Sequence, residues 1–186
     1  MKILTILTGI LNIGLLAIIL IAKNEDNSVK SAPKTTAPIA ELWQVDRISD
    51  GDTITVSKEG SNRRRIRFCG IDAPETAHKP GEISQPGGET AKEALEKIIQ
   101  ESEGIAISFI EQDKYGRWVG EIFANPGSDR EIFVNEELVK LGVVWPYKQY
   151  WENCPNREAI AAAEAIAINP IWEQPGNIPP WEWRRK

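Results

Sequence analysis

Between Arg63 and Thr76 the chain reads RRRIRFCGIDAPET, a run that sets four arginines beside Asp72 and Glu75. Handling a phosphate needs both signs of charge: cations to bind the oxygens, and carboxylates to hold a metal or take a proton. The core of the run alternates, so a strand sets Arg65 and Arg67 on one side and Ile66 and Phe68 on the other. Gly70 then loosens the backbone, and Pro74 holds Ala73 extended, which puts Asp72 and Glu75 on a short stiff turn. Two more segments offer charged side chains, Asp50-Gly51-Asp52-Thr53 and Asp113-Lys114-Tyr115-Gly116-Arg117. Alone, each is a turn, and Asp-Gly suits a tight type I′ connection. Together in one domain they do more. Two aspartates from separate loops can make an oxygen site for a hard cation, a nearby glutamate can deprotonate a water, and two arginines can clamp a phosphate.

The elements that must position these groups are short. Trp43 to Ile48, Thr53 to Ser57 and Arg64 to Cys69 read as a three-strand meander, joined by Asp50-Gly51-Asp52 and by Glu59-Gly60-Ser61-Asn62. Ile105 to Glu111 and Trp118 to Ala124 read as two further strands around the Asp113–Arg117 turn. Between the two groups lies a Pro- and Gly-rich loop, His78 to Gly88, expected to be mobile and exposed. A helix follows, with Ala91, Ala94, Leu95, Ile98 and Ile99 at helical spacing. A second helix carries Val134, Leu138, Val139 and Leu141, with Asn135 as its candidate cap and Gly142 as its stop. A third runs from about Pro155 to Ile168, proline suiting the first helical position. Trp172 to Lys186, with three prolines, three tryptophans and a basic end, reads as a strap lying on the domain.

Composition narrows the function. The 186 residues carry a net charge of −5 with a single His and two Cys. Residues 41–186 alone hold 18 basic and 25 acidic groups, a net of −7, so any contact with nucleic acid must come from a local basic patch. Soft ligands are too few for a structural zinc site, so a metal here should be a hard cation held by oxygen. Residues 1–22 are nearly all apolar from Ile3 to Ala22, long enough for a signal-anchor or signal peptide. Residues 23–40 read as a flexible tether, and the domain beyond it is expected on the extracytoplasmic side, anchored to the membrane or secreted. In that compartment Cys69 and Cys154 could form a disulfide, or they could remain two buried thiols.

The order DGDT, RIRFCGIDAPET, DKYGR and VNEELVKLG resembles the staphylococcal nuclease, or thermonuclease, family over roughly Trp43 to Trp172. The resemblance implies a mainly β α+β fold, a five-stranded OB-type barrel with three helices over residues 41–172, followed by the strap at 173–186. It also implies a monomeric Ca²⁺-dependent phosphodiesterase acting on DNA and RNA. Carried over by position, Asp52 and Asp72, with the backbone carbonyl of Ala73, match the metal ligands, and Asp50 matches an aspartate just outside them. Glu75 matches the proposed general base, and Arg67 and Arg117 the two catalytic arginines. Lys114 and Tyr115 fall where the family contacts a nucleotide phosphate, and Tyr147 competes with Trp145 and Tyr150 for the base-stacking position. The strap extends past the familiar domain and is expected not to touch the five charged positions. His78 and the pair Arg63 and Arg64 read as surface. The alternative from another class is a catalytically silent OB-type barrel that binds nucleic acid or protein.

Overall fold

The computed structural model describes residues 42–58 and 61–186. The apolar amino-terminal segment, the tether and Glu59-Gly60 lie outside the described residues.

Alternating side chains build the first three strands, β1 (Leu42–Asp50), β2 (Thr53–Lys58) and β3 (Ser61–Phe68), which pair antiparallel in sequence order. Irregularities in β1 at Val45/Arg47 and Ile48/Asp50 sharpen the coil of this meander. After the two-residue strand β4 (Ile71–Asp72), helix α1 (Gly88–Gln100) crosses to β5 (Ile105–Gln112) and β6 (Trp118–Ala124), an antiparallel pair. β5 pairs with the start of β1, and β6 runs parallel to β3 with Ile66 opposite Trp118 and Arg67 opposite Val119. That last pairing closes five strands, β1, β2, β3, β5 and β6, into a barrel of the OB type.

Ile54, Val56, Ile66, Phe68, Ile107, Ile122 and Phe123 fill the interior. Each such side chain contributes about 1.5–3 kcal/mol through burial. Ala91 and Leu95 of α1 and Leu138 and Val139 of α2 (Val134–Lys140) join the same core. A two-residue strand β7 (Ile132–Phe133) leads into α2, and β8 (Trp145–Pro146) pairs with β4. α3 (Arg157–Ile166) packs on α2, and a final turn of helix, α4 (Pro180–Trp183), ends the strap.

Five local expectations change. Asn135 is not a cap: it lies inside α2, fully buried, its Oδ1 accepting from the Ile122 N–H at 3.0 Å and its Nδ2 donating to the Cys69 carbonyl at 2.9 Å. Two buried backbone groups without sheet partners outcompete a helix end for that amide. α3 starts at Arg157, after Asn156 and two residues later than Pro155. At the β1–β2 turn neither Gly51 nor Asp52 has a positive φ, so the turn is not type I′. Gly51 is needed for space, because a Cβ there would stand 2.6 Å from the Ala91 Cβ and 3.0 Å from the Ala73 Cβ. Arg64 is not a solvated charge; its guanidinium lies 4.9, 5.1 and 5.3 Å from the ring centroids of Trp43, Phe109 and Trp118. Arg63 is exposed as expected, 3.2 Å from Asp46. The loop before α1, finally, is exposed from His78 to Ile83 as expected but hydrogen-bonded: Ser84 Oγ accepts from the Ala77 N–H, Glu82 Oε2 accepts from the His78 N–H, and Gln85 is buried.

Cys69 and Cys154 are disulfide-bonded, with 5.8 Å between their Cα atoms. The bridge fastens the end of β3 to the segment before α3 across 85 residues of sequence.

Candidate active site

The site is assembled where the β1–β2 turn, the end of β3, β4 and the turn after it converge. The β1–β2 hairpin delivers Asp50 and Asp52, both buried. Asp52 is held at each oxygen, Oδ1 by the Thr53 hydroxyl at 2.8 Å and Oδ2 by the Ala73 N–H. This last bond spans 21 residues and joins the two acidic loops directly. Gly51 makes the approach possible, as it lets Ala91 of α1 and Ala73 of the second loop both come close to the β1–β2 turn.

Arg67 leaves β3 on the face opposite Ile66 and Phe68 and enters between the aspartates. Nη1 is 2.5 Å from Asp52 Oδ2, and Nη2 bonds Asp72 Oδ1. Asp72 has no solvent exposure, and the Arg67 side chain retains 13%. Arg67 Nη1 is the one buried side-chain nitrogen or oxygen among the described residues with no well-formed hydrogen bond. Its nearest anionic oxygen is Asp52 Oδ2, close enough for an ion pair but outside hydrogen-bond geometry.

Glu75 sits past Pro74, its backbone fixed by Gln85: the Glu75 N–H donates to Gln85 Oε1 at 3.2 Å, and the Gln85 N–H donates to the Glu75 carbonyl at 2.8 Å. Gly88, the first residue of α1, allows the carbonyl of Glu75 to approach, since a Cβ there would meet it at 2.4 Å. His78 is closer to the chemistry than its sequence suggested. Its Nε2 is 3.9 Å from Asp50 Oδ2, and one ligand atom from each of Asp50, Glu75 and His78 lies within 4.8 Å of the others.

The strap contributes a second guanidinium. Arg184 donates from Nη1 to Asp72 Oδ1 at 3.2 Å and to Glu75 Oε1, and from Nη2 to Asp72 Oδ2 at 2.8 Å. The expectation that the tail leaves the five charged positions alone is therefore corrected. Trp181 of α4 stacks on Tyr147, rings nearly parallel at 4° and centroids 4.9 Å apart. The Tyr147 N–H donates to the Gly70 carbonyl at 2.8 Å, which anchors that ring beside the site.

The electrostatics describe a cluster short of positive charge. Asp50, Asp52, Asp72 and Glu75 face two permanent cations, Arg67 and Arg184, and the imidazole of His78. Burial, and then repulsion from Asp52, pushes Asp50 up to about 8. Burial also raises Asp72, against the pull of Arg67 and Arg184. Burial opposes the charge on Arg67, yet Asp52, Asp72 and Asp50 outweigh it and hold its pKa above the ordinary value. A cation would offset the negative charge that the two arginines leave and favour the ionised form of Asp50, and a donor set of carboxylates suits a hard ion. By this test the residues fit a metal.

Arg117, Lys114 and Tyr115 stand at the β5–β6 turn. Arg117 immediately precedes β6, the strand parallel to β3, in which Val119 lies opposite Arg67. Its Nε donates to Asp113 Oδ2 at 2.7 Å, and its guanidinium lies 5.6 Å from the Tyr115 ring. Lys114 lies 5.1 Å from the same ring, and Tyr115 is 72% exposed. Sequence reasoning missed Gln85, Trp181 and Arg184. Only the basic character of the tail hinted at the last of these.

Residues 65–172 match the family model described as staphylococcal nuclease homologue. A probable staphylococcal-like nuclease of Oryza sativa subsp. japonica is 35% identical over 128 residues, 67% of this chain and 34% of that protein. An endonuclease of Haemophilus influenzae, named as uncharacterized, is 30% identical over 143 residues, 77% of this chain and 72% of that protein. Endonuclease YhcR of Bacillus subtilis is 31% identical over 157 residues, 76% of this chain and 12% of that protein. The chain thus spans about a third of the rice relative and most of the Haemophilus one.

Proposed function

This chain belongs to the staphylococcal nuclease family, and on that premise we propose that it is a Ca²⁺-dependent nuclease hydrolysing phosphodiester bonds in DNA and RNA. The observation that carries the proposal is the convergence of Asp52, Asp72, Arg67 and Glu75 from three segments into one charged cluster. A binding module has no use for buried carboxylates that repel one another.

Asp52, Asp72 and the Ala73 carbonyl would hold the ion, with Asp50 beside them. When bound, Ca²⁺ supplies positive charge against the phosphate oxygens and lowers the cost of generating hydroxide. The chain's own residues account for the remainder. Attack on a phosphodiester gathers negative charge on the non-bridging oxygens, and Arg67 would bind that charge on turning from the aspartates it now pairs with. Arg117, from the turn before the neighbouring strand, supplies the second clamp once it turns from Asp113. Glu75 accepts the proton of the attacking water, its position set by Pro74 and by the two hydrogen bonds to Gln85. Lys114 and Tyr115 contact the flanking phosphate, and Tyr147 offers its ring to a base.

The same proposal sets the enzyme outside the cytoplasm as a monomer, anchored by or released from the apolar run Ile3 to Ala22. The Cys69–Cys154 bridge supports that compartment, because such bonds persist where the environment is oxidising. The test is turnover on single-stranded DNA by purified variants. Glu75→Gln, Arg67→Ala and Arg117→Ala are each expected to lower it at least ~100-fold. Cleavage by Glu75→Gln at the wild-type rate would remove Glu75 as the base.

A further inference from the structure

We propose that the carboxy-terminal strap, residues 173–186, is an intramolecular inhibitor in which Arg184 stands in for the metal ion and Trp181 for a nucleobase. This inference rests on the nuclease reading of the same site.

The strap is led into position by specific contacts. Asn177 Nδ2 donates to the Ile171 carbonyl at 3.1 Å, and Gln85, the residue that fixes the Glu75 backbone, donates from Nε2 to the Ile178 carbonyl at 2.7 Å. Pro179 and Pro180 then set the backbone for α4, with Pro180 buried at its first position. One turn of helix is enough to present Trp181 to Tyr147 and Arg184 to Asp72 and Glu75.

Both contacts compete with function. A carboxylate offers about four acceptor positions. On Asp72, Arg67 takes one and Arg184 takes two, which leaves little for a metal. Arg184 also occupies Glu75 Oε1, which draws the carboxylate toward the strap and lowers its readiness to take a proton from water. Trp181 covers a face of Tyr147, with Tyr150 tilted against that ring as well at 4.8 Å, so a base would have to displace the indole. A phosphate clamp is the other use for an arginine here, but both Nη atoms of Arg184 are aimed at carboxylates.

The latch is built to open. The Arg184 side chain is 42% exposed although Asp72 is fully buried, so solvent reaches the guanidinium and screens the pair from one side. A guanidinium brings one positive charge to the acidic cluster, and a divalent cation brings two. The closed form lowers apparent affinity by the fraction of molecules that are open.

The experiment is calorimetric titration of the full chain with Ca²⁺ alone, comparing wild type, Arg184→Ala and Trp181→Ala. Arg184→Ala is expected to bind Ca²⁺ ~10-fold more tightly, the gain from removing a closed state populated about nine-tenths of the time. It should also cleave faster than wild type at limiting Ca²⁺ and equally fast at saturation. Trp181→Ala should lower KM for single-stranded DNA without lowering kcat. On adding Ca²⁺ to the wild type, tryptophan emission should change, and that change should be absent in Trp181→Phe. Equal Ca²⁺ affinity in wild type and Arg184→Ala would overturn the proposal. Slower cleavage by Arg184→Ala at saturating Ca²⁺ would overturn it in favour of a substrate clamp. If neither wild type nor Arg184→Ala binds Ca²⁺ or cleaves DNA, the nuclease reading fails and the inhibitor with it.

Discussion

Gly51→Ala probes how the fold aligns the two acidic loops. The new Cβ would stand 2.6 Å from the Ala91 Cβ, 3.0 Å from the Ala73 Cβ and 3.1 Å from the Ala91 carbonyl carbon. Ordinary carbon contacts need about 3.5–4.0 Å, so α1 and the β1–β2 turn must separate by roughly 1 Å. The backbone angle at Gly51 is open to alanine, which leaves overpacking as the source of the cost, about 1–3 kcal/mol. Because the same turn carries Asp50 and Asp52, the separation should also stretch the Ala73 N–H bond to Asp52 and weaken cation binding ~10-fold, if ~1.4 kcal/mol of alignment is lost. Urea unfolding followed by circular dichroism measures the first effect, and calorimetry with Ca²⁺ the second. Ala91→Gly removes the nearest clash at about 1 kcal/mol of helix propensity, so the double variant should be more stable than the two single costs add up to. A Gly51→Ala protein within ~0.5 kcal/mol of wild type, or a double variant that is merely additive, would refute the account of how α1 sets the loops.

Three further outcomes can be checked on folding alone. Glu121 is fully buried, and burial raises its pKa against the two bonds it accepts from the Asn156 N–H and Nδ2; the unfolded chain therefore loses this proton first, and stability should fall as pH rises from the ordinary glutamate range toward the raised value, a slope that Glu121→Gln should flatten in urea melts across that window. Asn135→Ala leaves the Ile122 N–H and the Cys69 carbonyl unpaired inside the protein, and at about 1–3 kcal/mol for each it should cost about 3 kcal/mol; a loss under ~1 kcal/mol would contradict the bridging role. Reducing the Cys69–Cys154 bond should lower stability by about 4–5 kcal/mol in the chain-entropy model, read as a drop in melting temperature with reductant that Cys154→Ser reproduces without it.

The barrel was legible because its strands alternate and its turns carry Asp-Gly, Gly-Arg and similar punctuation. Ile66 and Phe68 went inward and Arg67 toward the charges, as two-residue periodicity demands. Asp72 and Glu75 were legible because Pro74 stiffens a local turn. What stayed hidden depended on contacts between distant segments. Arg184 meets Asp72 across 112 residues, and nothing in RRK distinguishes an arginine that returns to the site from one that ends in water. Asn135 precedes two glutamates, a pattern that suits a helix start, and only the unpaired groups on β6 and at Cys69 show why it is buried. Gln85 looks like any polar loop residue until its side chain is found holding Glu75 and the strap together. Gly51 reads as turn chemistry, while its reason is the methyl group of Ala91.

The central claim is that the acidic cluster and its arginines hydrolyse phosphodiesters with the help of a hard cation. Incubating the purified full chain with single-stranded DNA and RNA in Ca²⁺, in Mg²⁺ and in chelator tests it most directly. The account predicts cleavage of both substrates with Ca²⁺ and none in chelator. Cleavage that persists in chelator would contradict the metal site, and no cleavage under any condition would leave a silent barrel that binds without cutting.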